Sequence, residues 1–482
     1  MPDGARPSST PIAAAKTTGH ILDRRTRVLL EAPLLPLLLR LAAPNVILML
    51  VQSATGLIET YFVAKLGLDA LTGMALVFPL FMLLQMVSAG AMGGGILSAI
   101  ARSLGSGQTE RANELVWSAV AITVLLGALT SAAALSFGPR LYALMGGREG
   151  SLVAAATYSG IVFAGAIPLW LFNSFAAIIR GTGNMFFPAA VVTAGALVLI
   201  PLSPMLIFGW GPFPQLGIVG GAVAVVANYV VGSAIFAWYI WFGPGVLKPS
   251  VRPVMPRWPL MRDILRVGAI SSIVSLSTNV TIGAATGLAG IVGPAAVAGY
   301  GTGVRLEYLL VPLVFGLGAP VAAMVGTSIG AGRPDRALRV AWTGGAIAAV
   351  ITEAIGLAAA LFPKAWLGLF GTDPGMLDVG SRYLHIVGPF YGFFGGGLAL
   401  YFASQGAGRV GRPMIFAILR VIIAVGGGWL AVTAFGGGDA LFAVLAFALV
   451  FYGLGNFASV TKGVWFPEKK VVGEVGLEPT KA

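Results

Sequence analysis

Ser103-Leu-Gly-Ser-Gly-Gln-Thr-Glu-Arg-Ala112 returns in the second half of the chain as Ser328-Ile-Gly-Ala-Gly-Arg-Pro-Asp-Arg-Ala337. The register holds well beyond the quoted stretch. Trp117 and Trp342, Gly146 and Gly371, Gly181 and Gly406, Gly183 and Gly408, and Pro188 and Pro413 all keep the same offset. Nearly everything between these marks is apolar. Each copy of the motif therefore reads as a polar turn between two membrane-crossing segments, and the chain reads as two like halves. A membrane protein built this way has a place for a substrate between its halves and a motion in which one half rocks on the other.

Composition supports that reading. The chain of 482 residues is 57% hydrophobic and 10% charged, with a mean hydropathy of +0.89, whereas a soluble domain is roughly 25% charged. Its 68 glycines suit a helical membrane bundle, where small residues let backbones approach. With no cysteine, disulfides, thiolate metal sites and thiol catalysis are excluded. The net charge of +12 reads as an orientation signal rather than as nucleic-acid binding. The first ~30 residues are polar and basic, without the apolar core of a cleaved secretory signal.

Twelve apolar stretches bounded by turn residues predict spans near 41–64, 70–98, 115–137, 152–178, 186–208, 217–242, 264–290, 296–325, 341–362, 379–403, 414–435 and 440–461. The expected organisation is a cytoplasmic tail (1–32), a six-helix lobe (33–242), a linker with five prolines plus Lys248, Arg252 and Arg257 (243–262), a second six-helix lobe (263–462) and a C-terminal tail (463–482). The stretch 471–482 is polar, has no apolar periodicity and reads as a disordered tail. With the N-terminus inside, 24 of the 30 basic residues fall on cytoplasmic segments or adjoining helix ends; of the rest, Arg305 alone falls within a span. This bias predicts cytoplasmic termini. Six spans per half return the chain to its starting side, so the halves are parallel repeats about an axis along the membrane normal.

Beyond the repeat, further residues carry a resemblance. Pro44 is followed after fifteen residues by Glu59-Thr60, and the short loop Lys65-Leu-Gly67 comes next. Gly93-Gly94-Gly95 precedes the first turn motif, and Val325-Gly-Thr-Ser-Ile-Gly-Ala-Gly-Arg333 contains the second. Arg180-Gly-Thr-Gly183 with Pro188, and Leu216-Gly-Ile-Val-Gly-Gly-Ala222, complete the set. In order and spacing these resemble the multidrug and toxic compound extrusion (MATE) transporters, over roughly residues 35–460. The resemblance implies an all-α integral membrane protein whose 12 helices form two pseudo-symmetric six-helix lobes in a V. It also implies export of organic, often cationic and amphiphilic, compounds in exchange for protons or sodium.

Glu59 is the sharpest candidate. An acid near the middle of a span costs about 3 kcal/mol unless it faces a cavity, finds a partner or takes up a proton, and coupled exchange needs a carboxyl of that kind. It matches the family's acid in the first span, with Glu in place of the usual Asp. The other reading is a structural acid bonded across helices. Pro44, about four turns earlier, can kink the helix, and in the family bending here is linked to protonation of the acid. The family's partner residues are missing. Where one branch has Asn-x-x-x-Asp-Pro in the fifth span, this chain has Leu199 and Ser203 before Pro204. Where another has Glu in the seventh span and Asp in the tenth, it has Ser277 and Phe394.

Gln52, Gln85, Asn173 and Asn228 are the possible substitutes, each also readable as an interhelical hydrogen bond. Arg305 and Glu307, two apart on one helix, do not face each other and read as cavity groups or as structural partners of other helices. Glu353 reads as packing beside a hydroxyl, and His385 as a satisfied core histidine. There is no His-Glu-x-x-His, nucleophile elbow or Walker A sequence, so the expectation is a non-enzymatic transporter without metal, cofactor or ATP. Its partners are then a small-molecule substrate, a coupling proton or sodium ion and the bilayer, and it works as a monomer in the bacterial inner membrane. A flippase for a lipid-linked sugar needs a basic cavity, which one intramembrane arginine does not supply. A scaffold or receptor needs soluble domains or long loops.

Overall fold

The computed structural model describes residues 22–466, so the expected tail at 471–482 lies outside it. Among the described residues the chain is helical and contains no strand. Eleven helices are long and apolar enough to cross a membrane. They are spans 1 (Leu34–Ala64), 2 (Leu68–Gly105), 3 (Thr109–Leu144), 5 (Phe186–Phe208), 6 (Ile218–Trp241), 7 (Trp258–Val292), 8 (Pro294–Gly330), 9 (Pro334–Leu361), 10 (Pro374–Gly406), 11 (Gly411–Phe435) and 12 (Gly438–Ser459). Span 4 is made of Glu149–Ala164 and Ala166–Gly181, bent by 50° at Gly165, where a side chain would run into Val226. Each expected span thus has its helix. Span 7 begins earlier than the linker reading anticipated, because Pro259 sits in its first turn, where a missing N–H does no harm.

The repeat is conformational as well as sequential. Gly107 (φ +73°) and Gly332 (φ +65°) hold equivalent left-handed positions in the two copies of the motif, as do Gly183 (φ +81°) and Gly408 (φ +71°). Glycine adopts this region without the Cβ penalty. Two large buried clusters follow the halves. One runs from Leu48 to Ile264 with Ala322 and Ala323 added. The other runs from Val267 to Trp465 and also takes in Leu29, Leu37, Leu38 and Ala42. Span 1 therefore begins against the second lobe and ends against the first.

The N-terminal segment holds more structure than a tail. Arg24–Glu31 is a short surface helix, capped by the Asp23 carboxylate on the Arg25 N–H at 2.8 Å. It buries Thr26, Leu29 and Leu30, a spacing that puts them on one face. Its last carbonyls are taken by the second lobe: Arg336 donates to Leu29 (2.8 Å) and Ala32 (2.8 Å), and Arg333 to Leu30 (3.1 Å).

Contacts between the lobes gather in the half of the bundle that carries the linker, termed the linker side below. Arg102 pairs with Asp263 at 2.6 Å and also bonds Ser98, while Ser98 donates to the Gly406 carbonyl at 2.9 Å. The buried Gln405 amide donates to the Gly90 carbonyl (3.1 Å) and to Ser271 (3.0 Å). Gly94 makes room for Gln405, and Gly95 lets span 2 approach the Ile264 carbonyl of span 7. The glycine run is thus a contact surface for the other lobe.

Candidate functional site

Glu59 lies five residues before the end of span 1, about 7.5 Å of helix from that end. It is therefore in the outer third of its helix, on the side away from the linker, and not near the middle. The helix starts seven residues earlier than the apolar pattern suggested, because Leu34-Leu-Pro-Leu-Leu-Leu-Arg40 is already helical. Glu59 is half-buried. Tyr158, in the first segment of span 4, points its hydroxyl at Oε1 from 3.5 Å, longer than an ordinary O–H···O bond. Gly221 of span 6 stands beside the same oxygen. None of the described ion pairs involves Glu59.

Pro44 is the eleventh residue of the span 1 helix and so lies in its interior, where it has no N–H to give the Arg40 carbonyl. Gln52 is exposed and, seven residues before Glu59, shares its helix face.

The remaining polar candidates of the first lobe are joined to one another. Asn173 is buried and donates to Gln85 at 3.0 Å and to Ser88 at 2.8 Å. The Gln85 amide in turn bonds the Tyr229 hydroxyl of span 6. Ser88 sits in a π-helical stretch, Met86–Met92, and such stretches tend to mark functional positions within helices. The bend of span 4 lets one span supply both Tyr158 and Asn173. Asn228 packs against Gly195 of span 5, outside this network. Ser203 is buried with its hydroxyl unpaired, and Leu199 joins a small apolar cluster.

In the second lobe the acids are firmly held. Glu307 is buried and accepts from Tyr383 at 2.9 Å, whose hydroxyl lies 3.1 Å from that of Tyr391. It shares a cavity of 10 Å³ with Thr281, Tyr300 and Arg420, about enough for one water. Arg420 faces the rings of Phe394 (5.1 Å) and Tyr452 (5.4 Å). The count of one intramembrane arginine needs correction: Arg420 is buried within span 11, while Arg305 is exposed and lies over the Phe370 ring at 4.9 Å. Arg420 is the tenth residue of its span, Gly411–Phe435, although the charge count had placed it with the cytoplasmic helix end. Glu353 accepts the Gly392 backbone N–H at 2.6 Å, so its partner is an amide rather than the expected hydroxyl. His385 is exposed rather than buried, with Nδ1 2.8 Å from the Ala360 carbonyl. Ser277 bonds the Val274 carbonyl of its own helix at 2.7 Å.

The structure thus groups Glu59 with Tyr158, and Gln85 with Asn173, Ser88 and Tyr229. It leaves Ser277, Arg305, Glu307 and Asn228 elsewhere. Tyr158, Tyr229, Gln405 and the Arg102–Asp263 pair went unselected in the sequence, since aromatic residues and helix-end charges are too frequent there to stand out. Among the described residues no cluster of three or more His, Asp or Glu could hold a metal ion.

The MatE family model matches the chain over residues 44–205 and again over 269–430, two stretches that stand at the same offset as the two copies of the turn motif. A Shewanella oneidensis protein named FAD transporter is 28% identical over 396 residues, covering 82% of this chain and 86% of its own. A Thermotoga maritima protein named probable multidrug resistance protein NorM is 26% identical over 385 residues, covering 80% and 82%. Among solved structures, a MOP superfamily transporter from Pyrococcus furiosus superposes with a TM-score of 0.83 at 24% identity, covering 91% of this chain and 97% of its own. A multidrug resistance MATE family transporter in an outward-facing conformation superposes at 0.82 with 23% identity and the same coverage. These superpositions establish the two-lobed fold, and the repeated match establishes the family: the chain belongs to the MatE family of multi-pass membrane transporters.

Proposed function

We propose that this protein is a secondary active antiporter of the bacterial inner membrane, exporting organic, cationic or amphiphilic compounds in exchange for protons or sodium. One observation carries the coupling role of Glu59. Of the three acids that the sequence places within spans, Glu307 and Glu353 are bonded at 2.9 and 2.6 Å. Among the described residues, Glu59 accepts one hydrogen bond, at 3.5 Å, and it is half-open. A carboxyl so weakly committed is free to exchange a proton or hold a cation.

On this reading the linker side faces the cytoplasm and both termini are inside. The contacts on that side then close the cytoplasmic path, and Glu59 lies where ions arrive from outside. Binding there shifts the balance between two arrangements of the lobes, 33–242 and 263–462. Span 1 bends near Pro44, where a backbone hydrogen bond is already missing. The transporter acts as a monomer. The test is dye export from an efflux-deficient strain, with and without a proton or sodium gradient. Export that ignores both gradients would exclude antiport.

The relative named FAD transporter favours a second substrate class, a flavin dinucleotide. Uptake of FAD into inverted vesicles, measured against a dye, separates the two.

A further inference from the structure

A cavity of 590 Å³ opens on the linker side, away from Glu59 and from the Arg102–Asp263 and Gln405 contacts. Arg24, Arg25, Val28 and Leu29 of the surface helix line it, with Leu37, Arg40, Leu41 and Pro44 of span 1 and residues 183–186 of the turn between spans 4 and 5. Among the described residues, three arginines and no acidic residue line it. Its walls are apolar, with Val28, Leu29, Leu37, Leu41 and Met185 among them, and Phe186 at its edge is 71% exposed. Arg25 is steadied by the Tyr239 hydroxyl at 3.2 Å, which also accepts from Asn184 at 2.9 Å.

We propose that this cavity binds the headgroup of an anionic phospholipid from the cytoplasmic leaflet, with its acyl chains running along Phe186 and the start of span 1. Charge and shape both select that occupant. A cationic drug is repelled by three arginines, whereas a lipid phosphate is held by them and its chains need the apolar wall. Basic pockets between helices at the cytoplasmic surface bind such headgroups, and the leaflet itself is negative. The site also has a mechanical position. One wall is the surface helix, whose far end is tied to Arg333 and Arg336 of the second lobe. The floor is Pro44. A bound lipid therefore braces the surface helix against span 1 while the linker side is closed.

The proposal rests on the cytoplasmic placement of this end, but its test does not. Native mass spectrometry of the full-length protein, titrated with phosphatidylglycerol and separately with phosphatidylcholine, reads binding regardless of orientation. One phosphatidylglycerol should bind at least tenfold more tightly than phosphatidylcholine. R24Q/R40Q, which alters two exposed side chains, should lose that preference, and R252Q in the linker should keep it. Unchanged preference in R24Q/R40Q would overturn the site. So would displacement of the lipid by inorganic phosphate, which would mark a free-phosphate site. If the double variant melts early, R40Q alone serves, with a loss of threefold or more expected and no loss overturning the proposal.

Discussion

Gly105 and Gly330, equivalent residues of the two repeats, pack reciprocally across the lobe interface. A side chain on Gly105 would run into the Thr327 backbone, and one on Gly330 into the Arg102 backbone. Arg102 and Thr327 are themselves equivalent positions of the two repeats. The motif that reveals the duplication is therefore the place where the two copies touch, and the pseudo-symmetry axis runs between spans 2 and 8. Its glycines serve close backbone approach, as small residues do in membrane bundles.

Gly330→Leu should keep the linker side from closing. The chain has no native cysteine, so spin labels on introduced G107C and G332C report that gap directly. The variant should shift the distance distribution to longer values and cut transport at least tenfold. An unchanged distribution would show that the contact is not part of closure.

The Arg102–Asp263 pair, with side-chain exposures of 17% and 30%, lies between the buried and exposed regimes. Removing one partner should cost roughly 1–3 kcal/mol. D263N should accordingly bias the labelled pair toward open distances, and more strongly in low salt, where Arg111, 3.7 Å from the same carboxylate, no longer has its charge balanced. A salt-independent result would assign closure to packing alone.

Much of this was legible in the sequence because the bilayer leaves helices few options. Apolar length gave the spans, and a fixed offset gave the halves. Arg420 and Asp263 were missed for one shared reason. A charge in the linker-side half of a helix looks solvated in one dimension, yet the neighbouring lobe or helix covers it in three. Tyr158 was hidden differently: nothing local distinguishes a tyrosine that faces a carboxyl from one that faces lipid. The surface helix Arg24–Glu31 left a faint signal, with Thr26, Leu29 and Leu30 on one face, but eight residues are too few for periodicity to stand out. Glu59 was read as too deep although the expected span already ended at residue 64, five residues beyond it, where the helix of the structure ends too.

Asn173→Leu should be structural in effect. It strands Gln85 and Ser88 without their donor, at about 1–3 kcal/mol for the unsatisfied groups. Thermal unfolding should fall by several degrees while the ion dependence of transport stays the same. A change of coupling ion with no loss of stability would instead place Asn173 in the ion site.

Glu353→Gln should be nearly silent, because an amide oxygen can accept the Gly392 N–H as the carboxylate does. Glu353→Ala should lower thermal stability. Loss of gradient-driven export in Glu353→Gln, at normal stability, would show that a charge is needed at Glu353 and that coupling is shared beyond Glu59.

Glu59→Gln in proteoliposomes, under an imposed proton gradient and then a sodium gradient, tests the central claim most directly. The substitution keeps the size of the side chain and its contact with Tyr158, and removes only the exchangeable charge. Gradient-driven counterflow should disappear while substrate binding and melting temperature stay at wild-type values. Transport that still follows the gradient at the wild-type rate would contradict the account.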